Sequence, residues 1–291
     1  MMAAPVDAAH FSADWLASRE ALDARSRSRT LTRFAADWLA ARPGVHRLVD
    51  LGAGSGSNLR FLAPRLPGPQ RWRLVDQDGE LLAHARRTRV QDAGGERVAV
   101  SLDRRHLAPV GGALLGEADL VVASALCDLV SRDWAVALVD RCAARGQALL
   151  ITLSVDGDWG FLDTAGARAD TVDDAVVRGL VQAHQRRDKG LGAALGGEAP
   201  GLLAALLEAA GYRVASADTP WCLPSGEPAT QPVAEALVAG WYAAAREQAP
   251  EQAERLMQWH AHRQAQLAAG EVGVTVGHRD LFAAPPGEAT A

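Results

Sequence analysis

The chain has 291 residues, 48% hydrophobic and 22% charged, with a formal net charge of -5. That balance describes a globular protein with one large core or two smaller ones, and it disfavours the broad basic footprint of a nucleic-acid binder. No run approaches the roughly 18 apolar residues of a membrane helix. The opening "MMAAPVDAAHFSADW" lacks the charged-then-apolar pattern of a secretory leader, so the expectation is a cytoplasmic protein. Cys127, Cys142 and Cys222 are widely spaced and odd in number, which fits neither a disulfide framework nor a zinc site; no metal is expected.

In chain order, an arm over 1–29 precedes "TLTRFAADWLAARPG", a helix stopped at Pro43-Gly44. "HRLVDLG" reads as a buried strand and "SNLRFLAPRLPG" as a helix broken at Pro67. "RWRLVDQD" is a second strand, and "DGELLAHARRTRVQDAGG" a helix capped by Asp78 and ended by Gly94-Gly95. "RVAVSLD" and "ADLVVASAL" are the third and fourth strands. A helix from Ser131 to Gly146 leads to a fifth, "ALLITLS". Strands alternating with helices imply crossover units and a mainly parallel sheet.

The rest is less regular. An excursion over 155–197 carries the helix "TVDDAVVRGLVQAHQRRD"; "PGLLAALLEAAG" and "YRVASAD" then resume the alternation. Two helices, "QPVAEALVAGWYAAAREQ" and "PEQAERLMQWHAHRQAQLAAG", precede a last strand from "EVGVTVGH". The expected organisation is arm 1–29, core 30–154, lid insertion 155–197, core 198–219, helical insertion 220–270, last strand 271–283 and a disordered tail 284–291.

The chemistry concentrates in "LVDLGAGSGSN", residues 48–58. Glycines at 52, 54 and 56 give G-x-G-x-G, with serine where a dinucleotide site wants its third glycine. No lysine follows to make a phosphate-binding loop, so a pyrophosphate has no good seat. The loop resembles the first motif of the class I S-adenosylmethionine-dependent methyltransferases. The resemblance covers about residues 30–154 and the last strand loosely. It implies an α/β, doubly wound, Rossmann-like sheet of seven strands, mostly parallel with the last antiparallel, under helical lid insertions.

The resemblance also implies S-adenosylmethionine as cofactor. Asp50 would lie beside its amino end, and Gly52, Ala53, Gly54, Ser55, Gly56 and Asn58 against its amino-acid and ribose parts. Asp76 and Gln77 end the second strand, where two carboxylate oxygens match two ribose hydroxyls. Asp103 would face the adenine amino group, and Ser124 and Ala125 the cofactor after the fourth strand. The implied activity is methyl transfer to a small molecule, anionic or neutral, by a monomer or homodimer. Two alternatives stay open: other S-adenosylmethionine chemistry, by cyclisation or aminocarboxypropyl transfer, and a non-catalytic cofactor-binding module. In the family, strands six and seven are joined tightly, whereas here a helical pair intervenes.

Ligands of open parallel sheets bind beyond the strands' carboxyl ends, and the three irregular segments should converge there as a lid. Trp15, Trp159, Trp221, Trp241 and Trp259 lie in or beside them. They either wall a pocket, with Trp159, Trp221 and Trp241 touching substrate beside Cys127, or pack the lid helices together. In "AHQRRDKGLG", Arg187 or Lys189 either clamps a substrate anion or merely caps a solvated helix end. Arg19 and Asp23 are four apart on one helix face of the arm, and Arg27 and Arg29 either reach the pocket or do not. A general base is needed only for a protonated acceptor. Asp128 is the best-placed candidate and His184 the second.

Overall fold

The computed structural model describes residues 12–286. Residues 1–11 of the arm and 287–291 of the expected tail lie outside it. Helix α1 (Ala13–Ser26) starts where the Ser12 hydroxyl accepts the Trp15 amide, and α2 (Arg29–Ala40) where Ser28 accepts that of Leu31. The core then runs β1 (His46–Leu51), α3 (Ser57–Leu62), β2 (Gln70–Asp76), α4 (Gly79–Ala85), β3 (Ala99–Arg104), α5 (Gly112–Leu115), β4 (Leu120–Ser124), α6 (Arg132–Ala143) and β5 (Ala148–Leu162). There follow α7 (Val172–Gln185), α8 (Ala199–Ala209), β6 (Arg213–Asp218), β7 (Trp221–Leu223), α9 (Gln231–Gln248), α10 (Ala253–Ala268) and β8 (Gly273–Ala284).

The sheet has eight strands in the order β3-β2-β1-β4-β5-β8-β6, with β7 also on β8. Strands β1 to β5 pair in parallel, whereas β8 runs antiparallel to β5, β6 and β7. The order steps outward from β1 in both directions, which is the doubly wound arrangement expected, plus one short strand. Two apolar layers cover its faces. One joins Val49, Val121 and Ile151 to Trp134, Leu138 and Leu203 of α6 and α8. The other joins Leu48, Leu74 and Val122 to Leu31, Leu39 and Leu59 of α2 and α3.

Several boundaries differ from the sequence expectation. Helix α4 stops at Ala85, and the chain to Gly95 is turns and a single bridge, Gln91 to Arg97. The Arg86-Arg87-Thr88 stretch offers no apolar face after Ala85 to hold a helix on the sheet. Strand β5 continues eight residues beyond Ser154, and Ala284, assigned to the tail, closes β8. The register shifts between Ile151 and Ser154, where Leu153 adopts φ 54° and donates its N–H to Asp280 Oδ1 across 2.8 Å. Asp280 also accepts the Ser28 amide and the Thr219 hydroxyl. One buried carboxylate in β8 thus ties the entry to α2, the β5 bulge and the end of β6.

Beyond that bulge the long ends of β5 and β8, with β7, carry a third apolar cluster against α7, α9 and α10. Asp174 and Arg263, both fully buried, form an ion pair joining α7 to α10, and Asp174 also accepts Trp259 Nε1 at 2.7 Å. The helical additions are therefore seated on an antiparallel extension of the same sheet. Among the described residues, no helix is long and apolar enough to cross a membrane.

Candidate active site

The turn after β1 is wound by three left-handed glycines, Gly52, Gly54 and Gly56, with φ of 67°, 51° and 82°. This conformation is inexpensive only without a Cβ. At Gly56 a Cβ would also meet that of Ala85 at 3.0 Å. Behind the turn Asp50 is fully buried: its Oδ1 accepts Asn58 Nδ2 at 2.9 Å, while Oδ2 has no hydrogen-bond partner. Burial pushes the Asp50 carboxyl up to about 7, against the opposing pull of Asn58 and the Arg27 charge. Arg27, buried at the α1–α2 junction, donates from Nη1 to Asn58 Oδ1 at 2.8 Å and from Nη2 to Ser124 Oγ at 2.9 Å. It fastens the arm to the start of α3 and the end of β4.

A cavity of about 290 Å³ opens beyond the carboxyl ends of β1, β2 and β4. Gly52, Gly54, Asp76, Gln77, Ser124 and Ala125 line it, six of the residues singled out from sequence. Asp76 Oδ2 accepts the Gly54 amide and Oδ1 the Asp78 amide, each at 2.8 Å. Each oxygen keeps a lone pair for a further donor. Ala125 takes φ 51°, a strained conformation for alanine at the cavity wall. Asp50, Ala53, Ser55, Gly56 and Asn58 shape the turn from behind and do not line the cavity.

Asp103 is not brought to this cavity. It lies within β3, in register with Val75, while Arg104 is in register with Asp76. Alternation along the strand puts Asp103 on the sheet face opposite Asp76, where Arg73 and Arg105 take its carboxylate at 3.2 and 2.8 Å. Of the remaining walls, sequence reasoning had named Lys189 as a substrate contact and left Arg19 open as a helix-face residue of the arm; it missed the others. Leu16 and Arg19 come from α1, Leu81 from α4, and His106 and Leu107 from the loop after β3. Leu126 and Leu129 flank the turn after β4, and Lys189 to Leu191 close the opposite side. The arm was expected over this end of the sheet, but nothing in it marked Leu16 and Arg19 as the side chains that reach the cavity.

The expected substrate contacts divide. Lys189 lines the cavity; Arg187 instead binds Glu247 at 3.2 Å and Gln248 at 2.8 Å, at the end of α9. Trp159 and Trp241 stack on one another at 3.7 Å between centroids and, with Trp221 and Trp259, belong to the third apolar cluster. The tryptophans pack the lid helices and do not wall the cavity. Cys127 is buried in the β4 turn, where burial pushes its thiol up to about 12, making it inert as a nucleophile.

Asp128 does not itself line the cavity but follows Leu126 and precedes Leu129, which do; burial pushes its carboxyl up to about 6, with Arg19 pulling the other way. His184 bonds Glu247 Oε2 through Nε2 at 3.0 Å and does not line the cavity; burial holds its pKa below the usual imidazole value. No cluster of potential metal ligands occurs among the described residues.

No protein-family model and no curated protein matches the chain. Among solved structures it is similar to a cyclopropane-fatty-acyl-phospholipid synthase-like protein from Lactobacillus casei, with 12% identity and a TM-score of 0.48, covering 94% of this chain and 96% of that one. It is also similar to the cyclopropane synthase MmaA2 from Mycobacterium tuberculosis (14% identity, TM-score 0.44, 87% and 83% covered). A third is an S-adenosylmethionine-dependent methyltransferase from Geobacter sulfurreducens in complex with S-adenosyl-L-homocysteine (17%, TM-score 0.41, 92% and 98%). The chain's own strand order establishes its fold, a doubly wound Rossmann-like sheet with an antiparallel β8 between β5 and β6.

Proposed function

We propose that the protein is an S-adenosylmethionine-dependent methyltransferase acting on a small molecule. The observation that carries this reading is the pairing of Asp76 with the Gly54 amide at the mouth of the cavity. A carboxylate that ends the second strand and also pins the glycine turn presents its remaining lone pairs beside a phosphate-free nucleoside seat. The chain's residues fit the cofactor. Asp50 Oδ2 is a buried acceptor without a hydrogen-bond partner; it does not line the cavity, and its part is to shape the turn that the cofactor's amino-acid end would meet. Gly54, at φ 51°, lets the backbone turn beneath Leu16 in a conformation that a side chain would strain.

Asp76 would hold the ribose hydroxyls, the Gly52–Gly54 backbone the adjoining chain, and Ser124 and Ala125 the side nearest the acceptor. When bound, the cofactor supplies a methyl group already activated by a positive sulfur. The protein's part is orientation and exclusion of water, which in favourable cases contributes about 7–11 kcal/mol. Leu126, Leu129 and Leu191 make the cavity apolar there. If the acceptor arrives protonated, Asp128 is the group to take its proton: its raised pKa leaves it ionised at neutral pH yet basic enough to be useful. His184 is committed to Glu247 and serves the α7–α9 contact.

Titration calorimetry with S-adenosylmethionine and S-adenosylhomocysteine tests the cofactor half of this reading. Silence at millimolar ligand would end it. Mass spectrometry of turnover tests the other half: S-adenosylhomocysteine must accumulate, whereas methylthioadenosine would reveal transfer of another group.

A further inference from the structure

Two cationic side chains, Arg19 and Lys189, line the cavity. Arg19 is mostly buried in the middle of α1. Its hydrogen bond to Asp23 is long, 3.5 Å from Nη1, and its Nε is buried with no partner. Burial holds the Asp23 carboxyl above its ordinary pKa despite the pull of Arg19 and Arg27. The Arg19 guanidinium lies 5.6 Å over the Trp221 ring, and its charge is felt by Asp128 and His278. Its near neighbours thus include Trp221 of β7 and the turn after β4 that carries Asp128. On the cofactor side Arg27 is already spent on Asn58 and Ser124.

A buried guanidinium with an unfilled donor is costly until an acceptor arrives, and its planar fork matches a carboxylate. Around it Leu16, Leu126, Leu129 and Leu191 supply an apolar wall. We infer that Arg19 anchors the carboxylate of the methyl acceptor, a small molecule with an apolar body whose reacting end lies towards Asp128. This rests on the methyltransferase reading and deepens it: of the expected anion contacts Arg187 is turned away and Lys189 lines the cavity, and the arm adds Arg19.

A carboxylate at Arg19 has two conceivable sources, the acceptor and the cofactor's own amino-acid end, and the test separates them. Benzoate, phenylacetate and hexanoate, each against its neutral amide, are titrated into protein saturated with S-adenosylhomocysteine. At least one acid should bind about tenfold tighter than its amide. Arg19→Gln should erase that preference and Arg19→Lys keep part of it, with S-adenosylhomocysteine affinity in both variants within about threefold of the parent. No acid preference in the parent would overturn the inference. So would a tenfold or larger loss of S-adenosylhomocysteine affinity in Arg19→Gln, which would give the residue to the cofactor. Failure of the parent to bind S-adenosylhomocysteine would instead sink the methyltransferase reading, and the same acids on unloaded protein would still show whether Arg19 selects carboxylates.

Discussion

Asp76 Oδ2 accepts the backbone N–H of Gly54 across 2.8 Å, so the residue that ends β2 also holds the turn after β1. Asp76→Ala removes an acceptor for the ribose and a strut for the loop together. Hydrogen bonds to a charged group contribute roughly 1.5–3 kcal/mol each, so S-adenosylhomocysteine affinity should fall about 100-fold or more. Asp76→Asn keeps one acceptor oxygen and should fall less. Calorimetry on both variants reads the order directly, and equal affinities would remove Asp76 from the site.

Gly56 and Gly44 are both left-handed, with φ of 82° and 92°, but only Gly56 has a neighbour in the way. Gly44→Ala should cost about 1–2 kcal/mol from the backbone alone. Gly56→Ala should cost more, since Ala85 stands 3.0 Å from the new methyl and α4 must shift. Urea unfolding of the two variants measures the difference.

A base must be deprotonated to act. With Asp128 raised to about 6, the kcat/KM of a protonated acceptor should fall about tenfold per pH unit below that value and level off above it. Asp128→Asn should lower the plateau and remove the step. His184→Gln should leave the profile in place. A step that persists in Asp128→Asn would place the base elsewhere.

The stacked pair Trp159 and Trp241 lies in the lid cluster, outside the cavity. Trp241→Ala should therefore cost about 3–5 kcal/mol of stability, the usual range for a large buried aromatic. The S-adenosylhomocysteine affinity of the folded fraction should stay within about threefold. Thermal unfolding beside calorimetry distinguishes this from a substrate wall, for which binding would fail while stability held.

Two kinds of information were unequally legible in the sequence. Local pattern decided the parallel core: apolar strand segments alternating with helices, glycines where the chain must turn left-handed, and a carboxylate closing the second strand. These depend on residues a few positions apart, so Gly52, Gly54 and Asp76 were readable before any fold was known. Asp103 shows the limit of that reading. Whether it ends a strand or lies one residue inside it decides which face it occupies, and the register with Val75 sends it to Arg73 and Arg105.

What only the tertiary structure decided was assembly across long separations. Lone apolar or charged residues in an arm or insertion do not state their partners. The bulge at Leu153 and the hub at Asp280 lengthen β5 and β8 beyond the core, and that extension, rather than the cavity, receives the tryptophans. The same assembly turns Arg187 outward to Glu247 and brings Arg19 inward. The sequence by itself determined the glycine turn and the carboxylate that closes β2, because each is set by its own few residues at a strand end. The acceptor's surroundings were decided by packing among α1, the β4 turn and the loop after α7, since a side chain's burial and charge partners exist only once those segments meet.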